Sequence, residues 1–387
     1  AMLKRLRGSR KPGQSSGESQ MKMLRRLPRI LKFIPGTAQD VRAYFMTLQY
    51  WLAGSGDNLV NLVRFLVNRY AAGPRAGLRG SMPADDPVEH PDAGLYHPRI
   101  KIRVSERLAD LPTPANADGR KIGVLVMRSY VLAGDTAHYD MVIDALERRG
   151  LTPVPAFAAG LDGRPAIERY FMRDGKATVD AMLSLTGFSL VGGPAYNDAD
   201  AAEAVLAKLD VPYLSAHALE FQSLDQWSGS ARGLTPVETT MMVAIPEIDG
   251  ATGPMVFGGR ADAADGTRER VMRGEPERAE MLAGRLDKLT RMRATPTRDR
   301  KLAIVIFNFP PNAGATGTAA FLSVFESLYR TLERLKTEGY GVDLPDSVDD
   351  LRDAILNGNA AMLGADANVV ERIPVADHVA RERHLRE

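Results

Sequence analysis

Apolar residues along the chain change their spacing three times, and each change marks a different kind of structure. Met23, Leu24, Leu27, Ile30, Leu31 and Ile34 recur every three or four residues, with Arg25, Arg26, Arg29 and Lys32 on the opposite side. That is the period of an amphipathic helix, which Pro28 limits. Two more helices are predicted at 37–52 and 57–70, joined by Gly54-Ser55-Gly56 and with Asp57 as the cap of the second. Residues 73–119 are dense in Pro and Gly and hold neither period, so they read as a crossing segment with a boundary near Gly119.

From Lys121 short apolar runs alternate with helical stretches. KIGVLVM is a strand, 136–149 a helix, TPVPAFAA a strand, 165–171 a helix, AMLSLTGFSLVGG a buried run, 198–209 a helix and VPYLSAHA a strand. Strands separated by helices imply a parallel sheet covered on both faces. After MMVAIPEIDG and PMVFGGR comes a charged helix over 267–293 that reads as a connector. A second unit begins at Lys301 with the strand KLAIVIFNF, the loop PPNAGATG, a helix over 318–338, a strand start at 341–344 and a helix over 347–357. This is too little to complete a sheet with both faces covered, so a fragment of something longer is expected. The expected class is α/β: a mostly helical N-terminal region with the crossing segment (1–117), a parallel-sheet βαβ domain (118–265), a charged connector helix (266–297) and the start of a second α/β domain (298–387).

Composition narrows the chemistry. The 387 residues suit two or three domains. With 50 Lys+Arg against 48 Asp+Glu, no global field draws the chain to nucleic acid. The charge asymmetry is local: between Leu3 and Lys32 ten cations face the single acid Glu18. An anionic membrane surface and RNA are the functional readings of this segment, but sparse aromatic residues and the interruption at Pro28 favour a solvated helix packed on its own protein. The absence of cysteine excludes disulfides, thiolate metal sites and thiol nucleophiles. No run approaches the roughly 18 apolar residues of a membrane span, so the expected location is the cytoplasm.

Among motifs, G-x-x-x-x-G-K-[ST], G-x-G-x-x-G, H-E-x-x-H and G-x-S-x-G are all missing, so the chain carries no local signal for ATP hydrolysis, dinucleotide binding, zincin or serine hydrolase chemistry. The loop at 308–317 offers Asn312, Gly314 and Gly317 as an anion-binding loop at a helix start; the competing reading is a tight strand-to-helix turn. Arg128, Asp135 and His138 lie beyond the carboxyl end of KIGVLVM, where parallel sheets place ligands, and offer acid, base or metal-ligand groups. Against that, Asp135 and His138 fit a helix-cap pair. Thr186 and Asn197 flank Gly192-Gly193, where the backbone permits close approach; a core strand and turn is the alternative.

The blocks YWLAGSGDNLVNLVRFLVNRYA, GDTAHYDMVIDALERRG, VDAMLSLTGFSLVGGPAYND, VPYLSAHALEFQSLDQW and KLAIVIFNFPPNAGATGTAAFLSVFESLYRTLERL span most of the chain. Together they resemble the large H subunit of the magnesium chelatase family, and less closely the large subunit of cobaltochelatase. The resemblance implies a subunit that binds protoporphyrin IX and receives Mg²⁺ in (bacterio)chlorophyll biosynthesis. ATP would be hydrolysed on the separate AAA+ subunits I and D, with the downstream methyltransferase as a further partner. Arg128, Asp135, His138, Thr186 and Phe309 are then the substrate-cleft candidates. The family's H-G-x-x-G-x-x-E-x-x-P-G motif, which carries the histidine and glutamate proposed at the metal centre, is absent, so catalytic residues stay unassigned and this piece alone is expected to be inactive. The alternatives are a cobaltochelatase subunit inserting Co²⁺ into a corrin precursor, an anion-binding α/β module, and a scaffold docking the partner ATPase through its basic and charged helices.

Overall fold

A computed structural model of the chain describes residues 36, 38–101, 103–193, 196–262, 270–308, 313–358 and 371–382. The basic segment before Gly36 lies outside the described residues. The chain divides into two compact units, up to Thr290 and from Arg291.

The first unit opens with a helical pair, α1 (Ala38–Ala53) and α2 (Gly56–Tyr70). Ser55, not Asp57, caps α2: its hydroxyl accepts from the Asn58 backbone at 3.3 Å and from the Asn58 side chain at 2.8 Å. The Pro/Gly-rich stretch then supplies two strands, β1 (Ala93–Tyr96) and β2 (Val104–Ser105). There follow β3 (Lys121–Leu125), α3 (Arg128–Ala133), α4 (Ala137–Arg148) and β4 (Thr152–Ala158). A helical turn Arg164–Ala166 continues as a π turn Ile167–Phe171, then come the hairpin β5 (Met172–Arg173) and β6 (Lys176–Ala177), and β7 (Ala181–Ser184). Next are α5 (Ala199–Leu209), β8 (Tyr213–Ser223) and α6 (Leu224–Ser228). The run MMVAIPEIDG lies in a helical lid made of Pro236–Glu238, a π turn Thr239–Ala244 and Ile245–Ile248. The unit closes with β9 (Thr252–Asp262), β10 (Arg270–Gly274) and α7 (Pro276–Ala294).

The eight-stranded sheet runs β10-β9-β8-β7-β3-β4-β1-β2. Its centre is parallel, as the alternation of strands and helices implies, with antiparallel strands at both edges. Side chains alternate between two cores. Tyr96, Ile122, Val124, Leu183, Leu214 and Phe257 pack with Val142, Leu146, Leu282 and Leu286 of α4 and α7. Leu95, Leu125, Ala156 and Met182 pack on the other face with Ile167, Phe171, Val205 and Leu209. Both faces are buried, which is why these strands read as continuous apolar runs.

The edges differ from the sequence expectation. The β1–β2 hairpin is pinned to α4 by a Tyr96–Asp140 hydrogen bond, by His97 Nε2 to Glu147 at 3.3 Å and by Arg99 to the same carboxylate at 2.7 Å. The segment expected to lie before residue 118 thus contributes sheet strands. At the other edge, Arg270–Gly274 is a strand where a helix is predicted from 267, and α7 starts only at Pro276, whose ring suits the first helical turn.

In the second unit α8 (Val324–Thr337) and α9 (Val348–Leu356) pair: Leu351 is buried and the Tyr329 hydroxyl donates to the Pro345 carbonyl at 3.1 Å. A short helix α10 (Val375–Arg381) ends it. The predicted strand at 301–309 forms no ladder among the described residues: Leu302, Ile304, Val305 and Phe307 are exposed, and one isolated bridge joins Asn308 to Thr316. The strand start predicted at 341–344 is likewise irregular. A strand is stable only beside a neighbour, and none is described here.

Candidate functional site

The carboxyl ends of β3, β7 and β8 converge beneath the helical lid, and the loops that leave them line a partly open cleft of about 210 Å³. Its walls are mostly apolar: Met127, Tyr139, Leu185, Phe188, Ala218, Phe221, Met241 and Met242. Two of the sequence candidates, His138 and Thr186, meet here, as expected of a crevice at the carboxyl end of a parallel sheet.

His138 sits at the start of α4 and is fully buried. Its ring packs on Tyr139 with centroids 3.8 Å apart, stacks on Phe257 at 5.7 Å and meets the edge of Tyr130 at 5.3 Å. Neither ring nitrogen has a hydrogen-bond partner among the described residues. Burial pushes the imidazole down to about 3, with the Arg260 guanidinium adding to the shift, so the ring is neutral at physiological pH. The Thr186 hydroxyl bonds the Ser184 hydroxyl at 2.9 Å.

At the mouth, Glu220 accepts the Tyr130 hydroxyl and the Arg260 guanidinium, the latter at 3.2 Å. Burial, then the hydrogen bond to Glu220, raises the Tyr130 phenol, which stays protonated. The lid is anchored at both ends by carboxylates. Glu238, buried, accepts from the Gln222 backbone and side chain at 3.3 and 2.6 Å and from the Thr235 backbone and hydroxyl at 3.0 and 2.8 Å. Asp249 accepts from the Leu190 backbone at 2.7 Å and from Asn197 at 3.4 Å. Under the lid lies His217 of β8, buried, with both ring nitrogens unpartnered among the described residues and held down to about 4 by burial, which Glu238 partly opposes.

The other candidates go elsewhere. Arg128 opens α3 and turns toward the 87–92 segment: Nε donates to the Pro91 carbonyl at 3.0 Å and Nη2 to that of His90 at 3.2 Å, beside a separate hollow of about 60 Å³. Asp135 does not cap α4, whose N-cap is Thr136; its carboxylate accepts the Met272 backbone N–H at 3.0 Å and so ties β10 to the sheet. Gly192 and Gly193 both have positive φ, and the turn they form places Asn197 against Asp249. Phe309 and Asn312 lie outside the described residues. Gly314 is exposed, and the Gly317 N–H is taken by the Phe307 carbonyl at 2.7 Å. Because α8 begins at Val324 and not at 318, Gly314 and Gly317 do not stand at a helix start. Sequence reasoning missed Tyr130, Glu220, Glu238, His217 and the lid methionines. Among the described residues no group of three or more His, Asp or Glu is placed to hold a metal ion, and no helix is long and apolar enough to cross a membrane.

Residues 48–387 match the pattern of the CobN/Magnesium Chelatase family, and residues 1–45 match a domain of unknown function. The chain belongs to the CobN/magnesium chelatase family. The magnesium-chelatase H subunit of Cereibacter sphaeroides is 52% identical to this family member over 396 residues, covering 99% of the chain and 32% of the relative. The chloroplastic magnesium-chelatase ChlH of Oryza sativa subsp. indica is 38% identical over 93% of the chain and 26% of the relative. The catalytic subunit of cobaltochelatase from Mycobacterium tuberculosis superposes with a TM-score of 0.60 at 26% identity, over 82% of this chelatase-family chain and 25% of that one. The chain therefore spans about a third of the length of its bacterial magnesium-chelatase relative.

Proposed function

We propose that this chain is a section of the porphyrin-binding subunit of an ATP-dependent magnesium chelatase, the enzyme that inserts Mg²⁺ into protoporphyrin IX for (bacterio)chlorophyll synthesis. The 52% identity to a magnesium-chelatase H subunit across nearly the whole chain carries this reading. The cobaltochelatase of Pseudomonas aeruginosa is more distant, 27% identical over 78% of the chain, so magnesium is favoured over cobalt. In this reading Mg²⁺ is substrate, ATP is hydrolysed on partner subunits I and D, the product passes to the downstream methyltransferase, and the complex works in the cytoplasm.

Chelation removes two pyrrole protons and strips water from a hard, reluctant cation, which calls for carboxylate or imidazole bases beside the macrocycle. His138, with its pKa near 3, takes up no proton at neutral pH and is not that base. The resemblance to the family implies that the metal-insertion step belongs to the family motif absent from this chain. Thr186, at the carboxyl end of the sheet, is proposed to face the porphyrin as a polar contact; Arg128, turned to the Pro91 and His90 carbonyls, is not. Residues 298–387 are taken as the start of a second α/β domain; the exposed Leu302, Ile304, Val305 and Phe307 then await strands from elsewhere in the protein.

Titration with deuteroporphyrin IX, followed through Trp51 and Trp227 fluorescence, tests the reading. Saturable quenching that weakens in Thr186→Val supports it. No quenching, where a full-length H subunit quenches, removes the porphyrin from this section.

A further inference from the structure

A second partly open cleft, of about 240 Å³, lies at the amino end of the sheet, away from the lid. Lys121 and Thr152 are the first residues of β3 and β4 and are paired in register. Side chains alternate along a strand, so Lys121 stands on the face of Leu125, and Thr152 on that of Val154 and Ala156. That face packs in the core with Tyr170, Phe171 and Val179. The ammonium stem and the threonine hydroxyl therefore stand side by side at the edge of that core. Arg173, in the β5–β6 hairpin, and Thr178, which follows it, also line the cleft.

The lining has three cations, Lys121, Arg169 and Arg173, and no acid. Arg169 is paired, with Glu106 at 3.0 Å. Lys121 and Arg173 are exposed and form no ion pair among the described residues. Asp180 accepts the Lys121 backbone N–H at 2.7 Å, and no salt bridge joins it to the ammonium. The hydroxyls of Thr113, Thr152 and Thr178 have no protein partner among the described residues either. The chain as a whole carries only +2, so this is a local concentration of unmatched positive charge. Lysine and arginine only donate, and threonine can donate, which suits an anionic oxygen group. Leu111, Val154 and Met172 supply apolar wall beside these donors, and apolar wall with a few convergent polar groups is the make-up of a small-molecule site.

We propose that this cleft binds a small organic anion, at the end of the sheet opposite the crevice assigned to the porphyrin. Its carboxylate or phosphate oxygens are held by Lys121 and Arg173 with the threonine hydroxyls. Its short hydrocarbon body lies on Leu111, Val154 and Met172.

Hexanoate is the probe. Calorimetric titration and saturation-transfer NMR on the 387-residue chain compare it with acetate, hexyl phosphate, hexanamide and hexylammonium. Hexanoate is expected to bind saturably, and hexanamide and hexylammonium at least tenfold more weakly. Acetate is expected to fall by more than tenfold, since each buried methylene adds about fourfold. The tighter of hexanoate and hexyl phosphate identifies the head group. Lys121→Met and Arg173→Met, both at exposed positions, are each expected to weaken the anion about five- to tenfold, one charged hydrogen bond, with the thermal midpoint unchanged. Lys288→Met, which removes an exposed cation of α7 outside the cleft, is expected to leave binding unchanged. Absence of binding by both hexanoate and hexyl phosphate overturns the proposal. So does equal binding of hexanoate and hexanamide, or acetate matching hexanoate, which leaves only attraction to surface charge. Loss in Lys121→Met and Arg173→Met no greater than in Lys288→Met overturns it as well. Neither deuteroporphyrin nor Thr186 enters these outcomes, so the porphyrin reading stands or falls separately.

Discussion

Glu238 is the group on which the lid hangs, and replacing it separates two roles a glutamate can play there. It is buried, and it occupies the third position of a capping box with Thr235. If capping were its whole contribution, Gln would serve nearly as well, since either residue completes that motif. The geometry assigns more: one oxygen accepts from the Thr235 N–H, the Thr235 hydroxyl and the Gln222 amide, while the other accepts the Gln222 backbone N–H. In Glu238→Gln the amide oxygen can keep the first three bonds, but its NH₂ then confronts the Gln222 N–H and orphans a buried donor. An orphaned donor costs about 1–3 kcal/mol. Because the bond lost is a long one at 3.3 Å, the lower part of that range applies, about 1–2 kcal/mol. Glu238→Ala strips all four donors of their acceptor and is expected to cost about 3–5 kcal/mol, the range for breaking a buried charged network. Trp227, which packs on Leu219 and Leu224 and lies under Arg278, reports unfolding of this region. Urea denaturation in a Trp51→Phe background, with hydrogen exchange over residues 239–244, measures both costs. A Glu238→Gln chain within about 0.5 kcal/mol of its parent, the spread of an ordinary surface change, would refute the anchor and leave only a cap.

Two further outcomes are expected. His138 and His217 titrate near 3 and 4 in the fold against 6.5 ordinarily, so the unfolded chain binds more protons below pH 6.5. Each contributes stability that is complete above about pH 6.5 and lost as pH falls toward its folded value; urea midpoints from pH 7 to 4 should show His138→Phe removing about 1.4 kcal/mol per pH unit of slope. Gly193 has φ +81°, and a Cβ there would stand 2.5 Å from Leu161 Cδ1 and 2.9 Å from its Cβ. Gly193→Ala is expected to cost about 2–4 kcal/mol from strain and overlap together, read from the thermal midpoint.

The parts of this structure legible in the sequence are those fixed by local pattern. After Lys121 and Thr152 the runs KIGVLVM and TPVPAFAA are continuously apolar because both faces of the central sheet are covered, and α1, α2, α4 and α5 follow their three-to-four spacing. Where local pattern and long-range pairing compete, the reading failed. Arg270–Gly274 alternates exposed and buried residues, but its charges place it within a helical charge pattern, and only pairing with β9 makes it a strand. Residues 301–308 have the opposite fault: their composition is that of a central strand, yet no neighbour is described to receive them.

The cleft under the lid was beyond sequence reasoning for a related reason. His138 could be flagged because it follows a strand, and Thr186 because it lies near the glycine pair Gly192-Gly193. Their meeting point is built from Met127, Phe188, Ala218, Phe221 and Met242, which are spread over more than a hundred residues and gathered by the order of three parallel strands. The property that makes His138 interesting is not its type but the absence of a partner, and absence has no sequence signature. A histidine near the start of a helix after a strand reads as a cap or a base. Only the packing of Tyr139, Tyr130 and Phe257 around it, with no donor or acceptor among the described residues within reach, turns it into a neutral, unspent hydrogen-bonding group. The same packing removes it from the acid–base chemistry that metal insertion needs.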